Sequence, residues 1–546
     1  MKPFQAVLAL LLGALPSALT QDIPFDINGG FQGCSTDGTA YNAGGFIKVN
    51  GWTIKVPQNT QVGFPAAWIP WKDFCNNAGF YNGMEVTVVG NSIPTHGYTA
   101  GQIYISQFFV ERNQGYVSAV NFDGTMQIAN GPKIRINDPN AVYSSGYTGR
   151  PFFTADDQNP SIAAFSGFPM CVPRSSSDPL CPQTNRPNTA GGGKQGTFTA
   201  PDPLTMAPFQ VGDFIEFAGF TDPGSGEVIC YAITALNVQI TTTGTPAFIR
   251  MEDVLIGVYT NNPNAEIGAT KFIGYVSQEA AGPVTVYAIE YDPCTGEAKD
   301  RQVSSASVIA GAARLKFRQT IRSVAGDKYA REYRIATSSG TKMTNNGILA
   351  GQYVNPVTEW IQPELTTPGI PPIPNDFSAF THLTQGLGRD SQGQLWGPLN
   401  PFPQSGVAVF DNSQCPPAPQ NPTTPSPSSS ATPTPTPSPV PVDTVEVVAA
   451  QWISSGSGTL TVTCTSSNTN NNLVGMLLDT PNQSGLVMTG STTQPGTWTF
   501  SSVKIKQVTT VTCRSKLGGK ATGPVAGKRR RRGSIRDDDT IIRDVV

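Results

Sequence analysis

Carboxylates and aromatic rings are the first groups to weigh for chemistry in this chain, because no catalytic motif of recognised spacing occurs in it. There are two histidines, His96 and His382, each set among Thr, Gly and Ser. Neither has a second histidine or a cysteine at metal-ligand spacing, so a zinc centre or a histidine-based triad is not expected. No G-x-S-x-G elbow occurs, and the glycine run Gly191–Gly193 does not lie between a strand and a helix as a phosphate loop would. Arg389-Asp390-Ser391-Gln392-Gly393 has the outline of a serine-protease nucleophile loop without the rest of that pattern, and reads as a polar turn. Asp156-Asp157 and Asp537–Asp539 lack the spacing of a calcium loop and read as solvated. The sequence therefore predicts no metal and no cofactor.

Carboxylate chemistry needs no local motif. Glycoside hydrolysis requires only two acids facing each other across a cleft, about 5 to 9 Å apart, from any positions in the chain. Acids with aromatic neighbours are Glu216, Glu290, Asp292 and Glu359. Glu359-Trp360 stands out, since an indole could bind a sugar face and raise the acid's pKa. Trp68 and Trp71, in Ala67-Trp68-Ile69-Pro70-Trp71, sit on a proline-stiffened segment. They are read in two ways, as a stacking surface for a polysaccharide or as plugs for the end of a barrel. Trp68, Trp71, Glu359 and Trp360 are the candidate binding residues.

The elements that must position these groups read as strands. Met84-Glu85-Val86-Thr87-Val88, Lys133-Ile134-Arg135-Ile136 and Val284–Glu290 alternate with period two, which places apolar groups on one face of a half-buried strand. Asn50-Gly51, inside FIKVNGWTIKV, predicts a two-residue hairpin turn, and Asp123-Gly124 another. The best helical candidate is Ser305–Arg318, which contains Gly311. Ala190–Gly196 looks like a flexible joint, after which Val211-Gly212-Asp213 opens a new strand series. The expected fold class is all-β. The body would hold two β-barrel or sandwich domains, at about 25–190 and 197–410.

From Cys415 to Val442 the chain is almost wholly Pro, Thr, Ser and Ala, a stiff extended linker with the composition of an O-glycosylated stalk. It separates the body from a small β-sandwich at 443–525 and a charged tail at 526–546. Met1 to about Thr20 has one charge, an apolar run from Val7 to Leu15 and small residues at Ser17 and Ala18, the anatomy of a secretory signal peptide. No stretch is long and apolar enough for a membrane span. Charged residues are 14% of the chain, with 36 basic against 38 acidic, so there is no net field to attract nucleic acid.

Nine cysteines in an exported chain should mostly pair. Their order suggests Cys34–Cys75, Cys171–Cys181, Cys230–Cys294 and Cys464–Cys513, leaving Cys415 over. Asn482-Gln483-Ser484 is an N-glycosylation sequon. Lys528–Arg532 is a multibasic run that a late-secretory protease could cut near Arg531 and Arg532, releasing Gly533–Val546.

Two resemblances add to this reading. The tail segment, with Leu460, Val462 and Cys464 on one strand face and Val511 and Cys513 on another, resembles the immunoglobulin-like modules of secreted microbial proteins. It departs from true immunoglobulin domains, whose tryptophan follows the first cysteine, because Trp452 comes before it and Trp498 late. The body, with AAWIPWKDF and PVTEWIQPE, resembles uncharacterised secreted fungal proteins, which implies no activity.

Together these features point to a secreted, modular, non-enzymatic protein of a cell wall or extracellular matrix, binding polysaccharide or another surface. A hydrolytic, carbohydrate-active enzyme with an ancillary module is the second reading. An exported factor acting on a small hydrophobic metabolite held in a barrel mouth is the third.

Overall fold

The structure is a computed structural model. It describes residues 21–105, 113–187, 196–259, 269–311, 313–322, 327–362, 367–417, 443–453, 459–469, 475–480, 483–491, 494–503, 508–515 and 519–528. The leader, the Gly191–Gly193 joint, most of the linker, Asn482, Arg531 and Arg532 lie outside these residues. The chain divides into two compact units at Pro422, within the Pro/Thr/Ser run. Both are built almost entirely of strands, as the alternation predicts.

The first unit begins with a barrel. Its wall is β1 (Ile23–Thr36), β2 (Gly45–Val49), β3 (Trp52–Val56), β6 (Glu85–Ile93) and β7 (Gly97–Ile105). β1 pairs antiparallel with both β2 and β6, β2 with β3, and β6 with β7. A parallel bridge between Lys55 of β3 and Thr99 of β7 closes the ring. That order, with one parallel closure, is the five-stranded OB-type barrel. Alternation explains the wall: Ile47, Val49, Ile54, Val56, Val86 and Val88 are all buried inside it. β4 (Gln61–Phe64) and β5 (Ala67–Pro70) form a hairpin on its edge. The short helix α1 (Trp71–Asn76) follows, and its buried Trp71 and Phe74 plug the barrel. Cys34–Cys75 ties this helix to β1.

A second barrel repeats the topology. β8 (Asn113–Val120), β9 (Thr125–Ile128) and β10 (Lys133–Ile136) are joined by the strands Phe214–Thr221 and Val228–Ala235. β10 runs parallel to Val228–Ala235, and Phe214–Thr221 pairs with β8. The boundary expected at 190–197 therefore falls inside this barrel. Backbone pairing across it outweighs the local glycine signal. Between β10 and Phe214–Thr221, the described residues 137–187 and 196–213 form an insertion where the first barrel has its helix.

A sandwich follows. One sheet holds Lys316–Arg322, Ala269–Val276, Ile249–Gly257 and Glu359–Ile361; the other holds Ala298–Ala306, Val284–Tyr291, Glu332–Ala336 and Gln352–Pro356. The helix considered for Ser305–Arg318 does not form. One strand ends at Ala306, Gly311 sits at φ +67° in the turn, and the next strand starts at Lys316. Residues 367–417 then return as a strap across the sandwich and the first barrel. Phe377, Phe380 and Leu383 enter the sandwich core, while Asn375 and Asn91 exchange hydrogen bonds at the barrel.

The strap also corrects the cysteine pairing. Cys294, in the Val284–Ala306 hairpin turn, bonds Cys415 at the strap's end, and Cys230 is a buried free thiol inside the second barrel. A Cys230–Cys294 bridge would need a barrel-core side chain to reach a surface turn of another sheet. Cys34–Cys75, Cys171–Cys181 and Cys464–Cys513 form as expected.

The second unit is a two-sheet sandwich. Cys464, on Thr459–Ser466, and Cys513, on Thr510–Arg514, bridge the two sheets. Trp498 lies across from Cys464 on the neighbouring strand and is buried. No helix among the described residues is long and apolar enough to cross a membrane.

Candidate functional site

Three aromatic rings meet at one end of the first barrel. Asn50 and Gly51 both adopt positive φ, 47° and 81°, the tight hairpin that their sequence predicts, and Trp52 follows at once. At the neighbouring turn Gly97 has φ +71° and Tyr98 follows it. Phe25 of β1 lies over Gly90, where even a Cβ would come within 2.4 Å of the ring. The Trp52 and Tyr98 centroids are 4.9 Å apart and inclined at 63°; those of Tyr98 and Phe25 are 5.3 Å apart at 59°. Trp52 is 44% exposed and Tyr98 37%. On the adjoining β2–β3 face Phe46 is also exposed, with the Lys55 ammonium 5.4 Å from its centroid. Asp26, Asn28 and Thr87 carry hydrogen-bonding groups on the outer surface, on the opposite face of β1 from Phe25, with Thr87 donating to Asn28 Oδ1 at 2.5 Å. Burial pushes the Asp26 carboxyl up, against the hydrogen bond it accepts from Asn28.

The residues singled out from sequence lie elsewhere. Trp71 is 1% exposed, and its indole N–H donates to the Ser35 carbonyl at 3.1 Å, so it plugs the barrel as the second reading of this segment held. Trp68 and Trp360 meet at the junction of barrel, sandwich and strap. The Trp68 ring packs edge-on to Tyr104, and the Arg331 guanidinium covers it at 4.7 Å. The Trp360 indole N–H donates to the Tyr104 hydroxyl, and its ring contacts Phe380. Glu359 is exposed on the same strand. Period-two alternation turns Glu359 and Trp360 to opposite sides, so the indole does not shield that carboxylate.

His382 joins this junction from the strap. Burial and the charge of Arg331 push its pKa down to about 3, so the ring is neutral at physiological pH. On its other side it borders a groove of about 370 Å³ with Glu290, Asp292, Lys299 and Lys328. Glu290 pairs with Arg301 at 2.6 Å, and Asp292 accepts from the backbone N–H of Cys294 and Thr295, which are structural tasks.

Carboxylates do gather in one further cavity of about 210 Å³, lined by Asp156, Glu216 and Glu252 together with Arg250, Tyr231 and Tyr353. Glu216 accepts from Gln114 at 2.9 Å, and Glu252 pairs with Arg250 at 2.8 Å. Burial pushes the Asp156 carboxyl up, opposed by hydrogen bonds from Asn159 and Gln158. Among the described residues no group of three or more His, Cys, Asp or Glu is placed to hold a metal ion.

Phe25, Trp52 and Tyr98 were not singled out from sequence. A signal was present in two of them: each follows a glycine of a tight turn, in Asn50-Gly51-Trp52 and His96-Gly97-Tyr98. An aromatic there must sit on a barrel rim. No protein-family model matches the chain, and no curated protein is significantly similar to it.

Proposed function

We propose that this is a non-enzymatic, exported binding protein of a cell wall or extracellular matrix, and that it holds polysaccharide on the aromatic rim of its first barrel. The observation that carries the reading is the pair of exposed rings Trp52 and Tyr98 at the barrel rim, backed by the half-buried Phe25. Barrels of this topology use their second and third strands to bind oligosaccharides or oligonucleotides. The near-neutral charge of the chain favours uncharged sugar over nucleic acid. The rings are not coplanar, so the rim would suit a twisted glycan chain. Four disulfides fit an oxidising compartment.

The test is retention of the full-length protein on insoluble chitin, β-glucan and mannan, with Trp52→Ala/Tyr98→Ala alongside and reducing-sugar release followed in parallel. Retention of the parent and loss in the variant supports the reading. The Asp156/Glu216/Glu252 cavity favours a second reading, a hydrolase. That one requires sugar release that Asp156→Asn or Glu216→Gln abolishes.

A further inference from the structure

The barrel, sandwich and strap meet around a partly enclosed space of about 30 Å³, lined among others by Gln102, Tyr104, Arg331, His382, Trp68 and Trp396. A void of this size takes one small occupant. Three of the lining side chains each carry a buried nitrogen with no hydrogen-bond partner: Gln102 Nε2, Arg331 Nε and His382 Nδ1. Gln102 is only 7% exposed. A buried donor left without a partner is costly, so an occupant that meets these groups is favoured.

The hydrogen-bond chain fixes what kind of group faces the space. The Trp360 indole can only donate, and it donates to the Tyr104 oxygen. The Tyr104 proton is then given to Gln102 Oε1, at 3.0 Å. That sets the amide orientation and leaves the Gln102 –NH2 as the free end. Arg331 is held with Nη1 on Gln61 Oε1 at 2.5 Å, Nη2 3.4 Å from Glu332, and its plane over Trp68. Its Nε–H can only donate. No carboxylate lines the space, and Arg331 is the one full charge on its wall. A water could accept from Gln102 and Arg331, but among these three groups only His382 could take either of its protons. An anion needs no acceptor, and a His382 tautomer protonated on Nδ1 supplies it with a third donor.

We propose that this space is a binding site for a single monatomic anion of chloride size, held by Gln102, Arg331 and His382, which pins the strap to the barrel and the sandwich. Glu332 offsets part of the Arg331 charge, so occupancy should require the halide concentrations of extracellular fluid rather than traces. This inference is independent of the glycan reading.

Crystals of the protein grown with bromide in place of chloride test it by anomalous diffraction. A bromide peak within hydrogen-bond distance of Gln102 Nε2 and Arg331 Nε is expected; density for an ordered water without a bromide signal would overturn the proposal. Thermal unfolding of the full chain at pH 7 gives a second arm. Sodium chloride and sodium bromide should raise the midpoint by about 2 °C or more over sodium gluconate at equal ionic strength. Gln102→Glu, which turns a donor into a repelling carboxylate, should abolish that halide increment when compared with its own midpoint in gluconate. Equal midpoints of the parent protein in all three salts would contradict the site, whether or not the variant folds.

Discussion

At the scale of the residue, function on this reading is carried by rings that the backbone forces outward. Trp52 and Tyr98 are displayed because the preceding turns need positive φ, which Asn50, Gly51 and Gly97 supply. Replacing Trp52 by Ala should therefore leave the fold intact and weaken glycan retention about tenfold, roughly 1.4 kcal/mol, as for a central aromatic contact. A depletion isotherm on the retained polymer measures it. His382 gives a second residue-level prediction. Its folded pKa, pushed down to about 3, lies below the ordinary histidine value of 6.5. The unfolded chain thus binds the proton more readily than the folded one. Stability from keeping His382 neutral is complete above about pH 6.5 and is lost as pH falls toward 3. Denaturant midpoints between pH 7 and 4 should fall for the parent protein and fall less for His382→Gln. Equal slopes would contradict the assignment. In the tail module burial pushes Asp443 up, but hydrogen bonds from Ser466, Ser515 and Gly519 outweigh it and hold the carboxyl below its usual value. That contribution is present above about pH 4 and fades as pH falls further.

At the scale of the element, the clearest link from sequence to structure is Val211-Gly212-Asp213. Gly212 takes φ +91° to make the bend, and the strand Phe214–Thr221 starts directly after it. Asp213 caps Gln210 N at 2.8 Å and forms a two-pronged, fully buried ion pair with Arg186, both bonds 2.5 Å. The pair ties Arg186, within the insertion, to the insertion's end, where the barrel strand Phe214–Thr221 begins. Asp213→Asn leaves Arg186 buried without its counter-charge and should cost about 3 to 5 kcal/mol. Urea unfolding that shows a loss under about 1 kcal/mol would place that anchoring elsewhere. Strand alternation and the Asn50-Gly51 hairpin were legible because each depends on neighbours in sequence, and three of the disulfides because each joins two cysteines that follow one another in the cysteine order. The barrel closures, the strap and Cys294–Cys415 were not. They depend on segments that meet only after the chain has returned over itself, as the partners Asn91 and Asn375 show. The same limit hid the site. The turn that raises Trp52 is local, but its approach to Tyr98 and Phe25 is a product of barrel closure. The aromatic–acid pair Glu359-Trp360 failed for the opposite reason, since adjacency in a strand means opposite faces.

At the scale of the molecule, two compact units meet in a Pro/Thr/Ser run that cannot build a core of its own. Limited proteolysis after deglycosylation should yield two resistant fragments that separate between Cys415 and Val442. A single resistant piece spanning that run would contradict the layout. The strap is held by Cys294–Cys415, which closes a loop with a sequence separation of 121 and so contributes about 5 kcal/mol by restricting the unfolded chain. Thiol labelling should find no reactive cysteine in the native protein and one, Cys230, after denaturation without reductant. Cys415→Ser should raise the denatured count to two.

The most direct test of the central claim is glycan binding by the intact protein, measured as depletion isotherms on chitin, β-glucan and mannan. Trp52→Ala/Tyr98→Ala is compared with Phe122→Ala, an exposed aromatic away from the rim. The account predicts saturable binding to at least one polymer, unchanged by Phe122→Ala and lost in the rim variant, with no release of reducing sugar. Binding that survives loss of both rim rings, or no binding to any of the three polymers, would contradict it.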